Sequence, residues 1–210
     1  AFAKNAKRKF KNLASREPWF FQTNMMRLKE KIIKEITPAL REKLGYKSSM
    51  AVPRIKKVVL NTGFGRLVVG KTGDEPKKLV EAIIGDMTMI SGQKVMGTTA
   101  KKSIAAFKTR QGMVIGACVT LRGQRMYDFL ERLINVALPR SRDFQGIDPK
   151  SVDQCGNLTV AFKEHISFPE ILPEKTRNIF GFEITIVTSA KNQKEGWELL
   201  RLVGFPIKKS

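Results

Sequence analysis

One string in the chain matches a phosphate-binding loop letter for letter. Gly65-Arg-Leu-Val-Val-Gly70-Lys71-Thr72 satisfies G-x-x-x-x-G-K-[ST] and follows a predicted strand. The chemistry would be nucleotide binding, with backbone amides around the phosphates, Lys71 reaching the terminal ones and Thr72 on magnesium. Such a loop needs its helix to begin at the Gly-Lys-Thr, so that helix amides and dipole receive the anion. Here Thr72 runs into Gly73-Asp-Glu-Pro76, a turn, and Asp74 and Glu75 would repel a triphosphate. No later apolar strand ends in an Asp that could hold the metal. The context favours a chance match, with a P-loop nucleotide hydrolase as the enzyme alternative. Acid–base chemistry is no better provided for. His165 is the only histidine and sits among Phe162, Ile166 and Phe168, a structural setting. Asp148, Asp153, Glu170 and Glu174 are scattered and give no paired-carboxylate site. The two cysteines, Cys118 and Cys155, are too few for a disulfide framework or a zinc site. No enzyme, cofactor or metal is expected.

The residues that do form a chemical pattern are cations. From Met87 to Tyr127 there is no Asp and no Glu, while Lys94, Lys101, Lys102, Lys108, Arg110, Arg122 and Arg125 fall inside the span. Its middle, Lys101-Lys-Ser-Ile-Ala-Ala-Phe-Lys-Thr-Arg-Gln-Gly112, alternates cations with small and hydroxylic residues around one aromatic, Phe107. Such a loop cannot bury itself. Hydroxyls and amides among the cations suit phosphate and sugar contacts, so the partner class is nucleic acid.

The elements that must position these residues follow from periodicity. Asn24 can cap a helix from about Met25 to Leu44, which Pro38 should kink or split. Arg54 to Asn61 reads as a strand, and Thr62 to Arg66 as a glycine turn. Asp74 should cap a second helix with Pro76 at its start and Leu79, Val80, Ile83, Ile84 and Met87 on one face. Met113 to Leu121 is an apolar strand in which Cys118 is expected as a buried thiol. A helix over about 124–138 should stop at Pro139. A long loop runs from Arg140 to Asn157. Strands over 158–162 and 182–187 and a last helix over about 192–203 complete an α+β fold, an antiparallel β-sheet with helices packed on one side.

Composition agrees with a nucleic-acid partner. The chain has 210 residues, 39 Lys and Arg against 19 Asp and Glu, and a formal charge of +20, which calls for a polyanion. A hydrophobic fraction of 42% supports a real core. No run approaches the ~18 apolar residues of a membrane span. The cations gather in loops and in the first 24 residues rather than on an amphipathic helix, so a membrane-surface protein is disfavoured. Lys4, Lys7, Arg8, Lys9, Lys11 and Arg16, ahead of Pro18-Trp-Phe-Phe21, form a basic arm or the remnant of a targeting segment.

Several strings are shared with a known family. Ile90-Ser-Gly-Gln-Lys94, the loop 101–112, Val119-Thr-Leu-Arg-Gly123, Leu138-Pro-Arg-Ser-Arg-Asp-Phe-Gln-Gly146 and Phe168-Pro-Glu-Ile171 resemble the universal L-five protein of the large ribosomal subunit, in its bacterial form. The likeness runs in order over nearly nine-tenths of the chain. It divides the chain into a basic extension, 1–25, and a single L-five-like domain, 26–210. It implies a structural protein of the central protuberance that binds 5S ribosomal RNA through its sheet, with Asn61, Gln93, Lys94, Thr120 and Arg122 facing the RNA. It implies a loop facing the P-site tRNA, made of Lys101, Lys102, Ser103, Phe107, Lys108, Thr109, Arg110 and Gln111. It also implies contact with a small-subunit head protein at an intersubunit bridge, near Arg142, Asp143, Phe144 and Asn157, and contact with neighbouring large-subunit proteins. Ala106 stands where the family has a glycine, so a positive φ is expected to be uncomfortable there. The extension and the Val68–Glu75 insertion fit either a bacterial cytoplasm or a mitochondrial matrix, and either 5S RNA or another large-subunit RNA.

Overall fold

A computed structural model describes residues 27–69, 74–142, 144–172, 174 and 178–208. Asn24, the arm and the Gly70–Thr72 end of the P-loop string lie outside these residues. Five strands form one antiparallel sheet: β1 (Ile55–Gly63), β2 (Met96–Thr99), β3 (Val114–Leu121), β4 (Leu158–Phe162) and β5 (Phe182–Thr188). Their order is β2-β3-β1-β5-β4, so β1 lies at the centre between two strands from later in the chain. The pairing sets Leu60 against Val119 and Ile184, and Asn61 against Cys118 and Glu183. Alternation then sorts the side chains. Val58, Leu60, Val119, Leu121, Ile184 and Ile186 are buried on one face, where the helices pack.

The helices cover only that face among the described residues. The first, α1, runs unbroken through an α-helical start (Leu28–Lys31), a π-helical turn (Ile32–Ile36) and an α-helical end (Thr37–Leu44). Pro38 therefore does not split it. Proline lacks an N–H and its ring collides with the carbonyl four residues back, and one wider turn just ahead relieves both. The Thr37 hydroxyl donates to the Ile32 carbonyl at 2.8 Å within that turn. The same device recurs in α4, where Gly123–Arg132 passes through a π turn (Leu133–Ala137) into Leu138–Arg140. Pro139 thus lies in the last turn of the helix, which ends at Arg140 rather than Leu138.

The remaining helices are α2 (Gly65–Val68), α3 (Glu75–Ser91) and α5 (Gln193–Val203). α2 replaces the expected glycine turn and buries Val68. Asp74 precedes α3 but makes no side-chain cap; it pairs with Lys77 at 3.6 Å. One contiguous set of buried apolar residues runs from Leu28 to Phe205. α5 approaches the turn before β4 so closely that Gly196 and Gly156 meet backbone to backbone. Gly156 has φ +77°, and its carbonyl accepts from the Thr188 hydroxyl at 3.0 Å.

Candidate nucleic-acid interface

The far face of the sheet has no helix over it among the described residues, and its composition is unlike the rest of the chain. In register across it lie Thr120, Val59, Thr185 and Thr159, and, two residues along, Met96, Cys118, Asn61, Glu183 and Ala161. The hydroxyls of Thr159 and Thr185 approach to 3.5 Å. Asn61 and Glu183 are exposed, and the β1 residue on the same face toward its start is Lys57. Cys118 is half-buried on this face, not a buried thiol, because strand alternation turns it away from the core. One cation and one carboxylate among small, hydroxylic and amide groups make this face close to neutral. It cannot attract a polyphosphate backbone by charge, but it can accept and donate hydrogen bonds to sugar hydroxyls and base edges in a shallow groove.

Charge is supplied at the rim. α3 ends at Gly92 in the left-handed region (φ 66°), with its N–H returning to the Thr88 carbonyl. The Ser91 hydroxyl donates to the Gln93 carbonyl at 2.9 Å, which fixes the turn. Gln93 Nε2 then donates to the Thr120 carbonyl at 3.4 Å, beyond the point where β2 pairs with β3. This tie holds Gln93 beside Thr120 and leaves Lys94 exposed next to it. Arg122 follows β3 immediately, exposed at the start of α4. Gln93, Lys94, Thr120 and Arg122 thus gather at one end of β3, with Asn61 on the neighbouring strand.

The basic loop joins the other end of the β2–β3 pair, so the structure separates it from that group. Its hydrogen bonding is dense. Ala100 N–H donates to the Met113 carbonyl at 2.8 Å, and Gly112 N–H to the Ala100 carbonyl at 3.0 Å. Ile104 and Thr109 exchange backbone hydrogen bonds at 3.1 and 3.2 Å across a 3₁₀ turn (Ala105–Phe107). The Ser103 hydroxyl accepts from Gln111 N–H at 2.9 Å. The non-glycine left-handed residue of the loop is Lys108, with φ 48°, and Ala106 lies within the 3₁₀ turn. The strain expected at Ala106 therefore falls two residues later. Lys101, Lys102, Lys108 and Arg110 are exposed and form no ion pair among the described residues. Phe107 is 68% exposed and Ile104 46%, an apolar tip amid cations.

The third set is the least uniform. Arg142 is exposed and pairs with Glu164 at 3.3 Å. Asp143 lies outside the described residues. Phe144 is half-buried against the core. The Asn157 amide bonds within the protein: its Nδ2 donates to Asp153 at 2.8 Å, and its Oδ1 accepts from Thr188 N–H at 2.9 Å.

Catalytic alternatives have no structural support among the described residues. Gly65 opens a helical turn where a P-loop would wrap phosphate, and no group of three or more His, Cys, Asp or Glu could hold a metal. His165 is fully buried, stacked on Phe180 at 4.0 Å between ring centres, with Nδ1 accepting from Phe180 N–H at 3.4 Å. Its Nε2 lies 3.7 Å from Asp86. Burial lowers its pKa against the opposing pull of Asp86, so the ring is neutral at pH 7. No described helix is long and apolar enough to cross a membrane.

The family resemblance singled out Asn61 and Thr120, which lie on the open face; Lys57, Val59, Thr159, Glu183 and Thr185 share that face and were not singled out. The alternation of Phe182, Ile184 and Ile186 was the available signal, since residues between them must face the other way. Comparison with known proteins bears on the family of the chain. Residues 48–110 match the model for ribosomal protein L5, and residues 114–207 match the model for the C-terminus of the same ribosomal family. The chain is 52% identical over 184 residues to the large ribosomal subunit protein uL5 of Herpetosiphon aurantiacus, covering 88% of this chain and 99% of that one. It is 50% identical over 184 residues to that of Heliobacterium modesticaldum, with the same coverage. Against the Desulfotalea psychrophila protein the figures are 51% over 185 residues, 88% and 100%.

Proposed function

Since the chain belongs to the ribosomal protein L5 family, a structural and non-enzymatic constituent of the large ribosomal subunit, we propose that it uses two separate surfaces on two RNAs. The open sheet face, with Asn61, Gln93 and Thr120 and the rim cations Lys94 and Arg122, binds 5S or an equivalent ribosomal RNA in the central protuberance. The loop from Lys101 to Gln111 meets the P-site tRNA through Lys102, Lys108 and Arg110. The segment from Arg142 to Asn157 faces a small-subunit head protein. Residues 26–210 act as one unit, with the basic extension 1–25 as an added contact to ribosomal neighbours, in a bacterial cytoplasm or a mitochondrial matrix.

The observation that carries this reading is the division of charge: a near-neutral, hydrogen-bonding sheet face with cations on its rim, and a separate, well-ordered loop of unpaired cations. Base and sugar readout suits the first, and phosphate contact suits the second. The test compares two variants. Asn61→Ala with Gln93→Ala and Thr120→Val should lower occupancy of the large subunit, since each unpaired buried group costs about 1–3 kcal/mol. Lys102, Lys108 and Arg110 changed together to Ala should leave occupancy intact and weaken P-site tRNA retention. The reverse pattern in subunit occupancy and tRNA affinity would overturn the assignment.

A further inference from the structure

The open face holds one carboxylate, and its position is hard to reconcile with passive solvation. Glu183 stands directly across from Asn61 on β1 and from Ala161 on β4. It is exposed, and among the described residues its carboxylate has no ion pair and no side-chain hydrogen bond. The nearest cation along β1 on that face is Lys57, four residues from Asn61 and paired with Val187 rather than with Glu183. An uncompensated carboxylate inside an RNA footprint repels every phosphate it approaches. It is tolerable there only if it faces donors, because a carboxylate is acceptor-only.

The shallow groove of A-form RNA offers few donors. The ribose 2′-hydroxyls are one kind. Among base edges on that side, the guanine 2-amino group is the donor, with guanine N3 as an acceptor beside it. Asn61 presents an amide that can donate to N3, and Glu183 presents oxygens that can accept from the amino group. Across a directly opposed antiparallel pair the two Cβ atoms lie ~5 Å apart, which suits two adjacent groups on one base edge.

We propose that Glu183, with Asn61 beside it, is a specificity determinant that reads the 2-amino group of a guanine in the bound RNA. This rests on the sheet face being the RNA-binding surface. The carboxylate gives up general affinity for RNA in exchange for selection of one base.

Inosine separates the possibilities, since it is guanosine without the 2-amino group. Large-subunit ribosomal RNA fragments, 5S RNA included, are transcribed with sparse inosine in place of guanosine and selected by binding to the full chain. The wild-type protein should exclude inosine at one or a few guanosines. Glu183→Ala should bind the all-guanosine RNA about tenfold or more weakly, the scale of a lost charged hydrogen bond, and should stop excluding inosine at a guanosine that wild type protects. Glu183→Gln, which keeps an acceptor, should retain part of that discrimination. Because Glu183 is exposed, thermal unfolding of both variants should match wild type. If Glu183→Ala binds as well as wild type or better, or keeps the same inosine pattern, the assignment of Glu183 is wrong while the sheet-face reading stands. If the wild-type chain binds none of the fragments, both fall.

Discussion

Gly196 and Gly85 are both glycines inside helices, and the same substitution should move stability in opposite directions. A Cβ on Gly196 would lie 2.4 Å from both the Cα and the carbonyl oxygen of Gly156, while a Cβ on Gly85 would have no neighbour within 4 Å. In an exposed helix interior Ala is favoured over Gly by about 1 kcal/mol. Gly85→Ala should therefore stabilise by about that much, which for a chain of this size raises Tm by roughly 2–4 °C. At Gly196 the contact must open from 2.4 Å to at least 3.4 Å, about 1 Å, and both partners are backbone. α5 cannot retreat freely, since Leu199, Leu200 and Val203 are buried on it. Nor can the turn, since Gly156 N–H, Asn157 and Thr188 tie it to Asp153 and β5. Overpacking typically costs about 1–3 kcal/mol and occasionally more, and the rigidity on both sides puts this case at the upper end. After the helix-propensity gain, the net loss is about 2 kcal/mol, or roughly 4–8 °C in Tm. Thermal and urea unfolding of the two single variants provide the assay. If Gly196→Ala raises Tm as Gly85→Ala does, the close approach of α5 to the Gly156 turn is not a constraint on the fold.

Acid should destabilise the chain through its one histidine. The folded pKa of His165 lies below its ordinary 6.5 because burial opposes the charge. The neutral ring's contribution is then complete above pH 6.5 and declines as pH falls through the folded value. Asp86, raised by burial above 3.8, acts with the opposite sign: it favours folding when protonated. Urea midpoints should drop between about pH 7.5 and 5.5, and His165→Phe should flatten that drop whatever it does to absolute stability; an unchanged pH slope would remove His165 as the cause. RNA affinity should fall steeply with salt, by a log–log slope of about 0.7–0.9 per neutralised phosphate, and the loop triple variant should lose slope on tRNA but not on ribosomal RNA. Lys71→Ala should leave ribosome assembly unchanged and abolish no nucleotide hydrolysis; a hydrolysis rate that depends on Lys71 would contradict a non-enzymatic protein.

The strands that were legible in the sequence are those with a buried face. Leu60, Val119 and Ile184 alternate with polar residues because one side of each strand meets the helices. β2 escaped because Met96, Gly97, Thr98 and Thr99 are all exposed and are held by pairing to β3 alone. Pro38 announced a split that did not occur, since nothing in the flanking residues signals a wide turn ahead of a proline, whereas the stop announced by Pro139 falls one residue later, at Arg140. Asn61 and Thr120 were singled out by the family resemblance rather than by the strand pattern. The internal role of Asn157 was not legible, because its partners Asp153 and Thr188 are joined only by the fold. The loop's composition was plain, but its order was not: the Ser103 clamp and the left-handed Lys108 depend on backbone bonds across the loop.

The central place of β1 also has a consequence in time. β1 ends at Gly63, yet its second neighbour, β5, is not complete until Thr188. At about 5–20 residues per second, the ~125 residues between take roughly 6–25 s to synthesise. β3 arrives first and can pair with β1 early, leaving the other side of β1 as an open edge in the nascent chain. Edges of that kind invite pairing with other chains, and lysines discourage it. Lys56 and Lys57 sit near the start of β1, where the wait is longest, so cations at that end of the strand in the finished protein can guard the growing one.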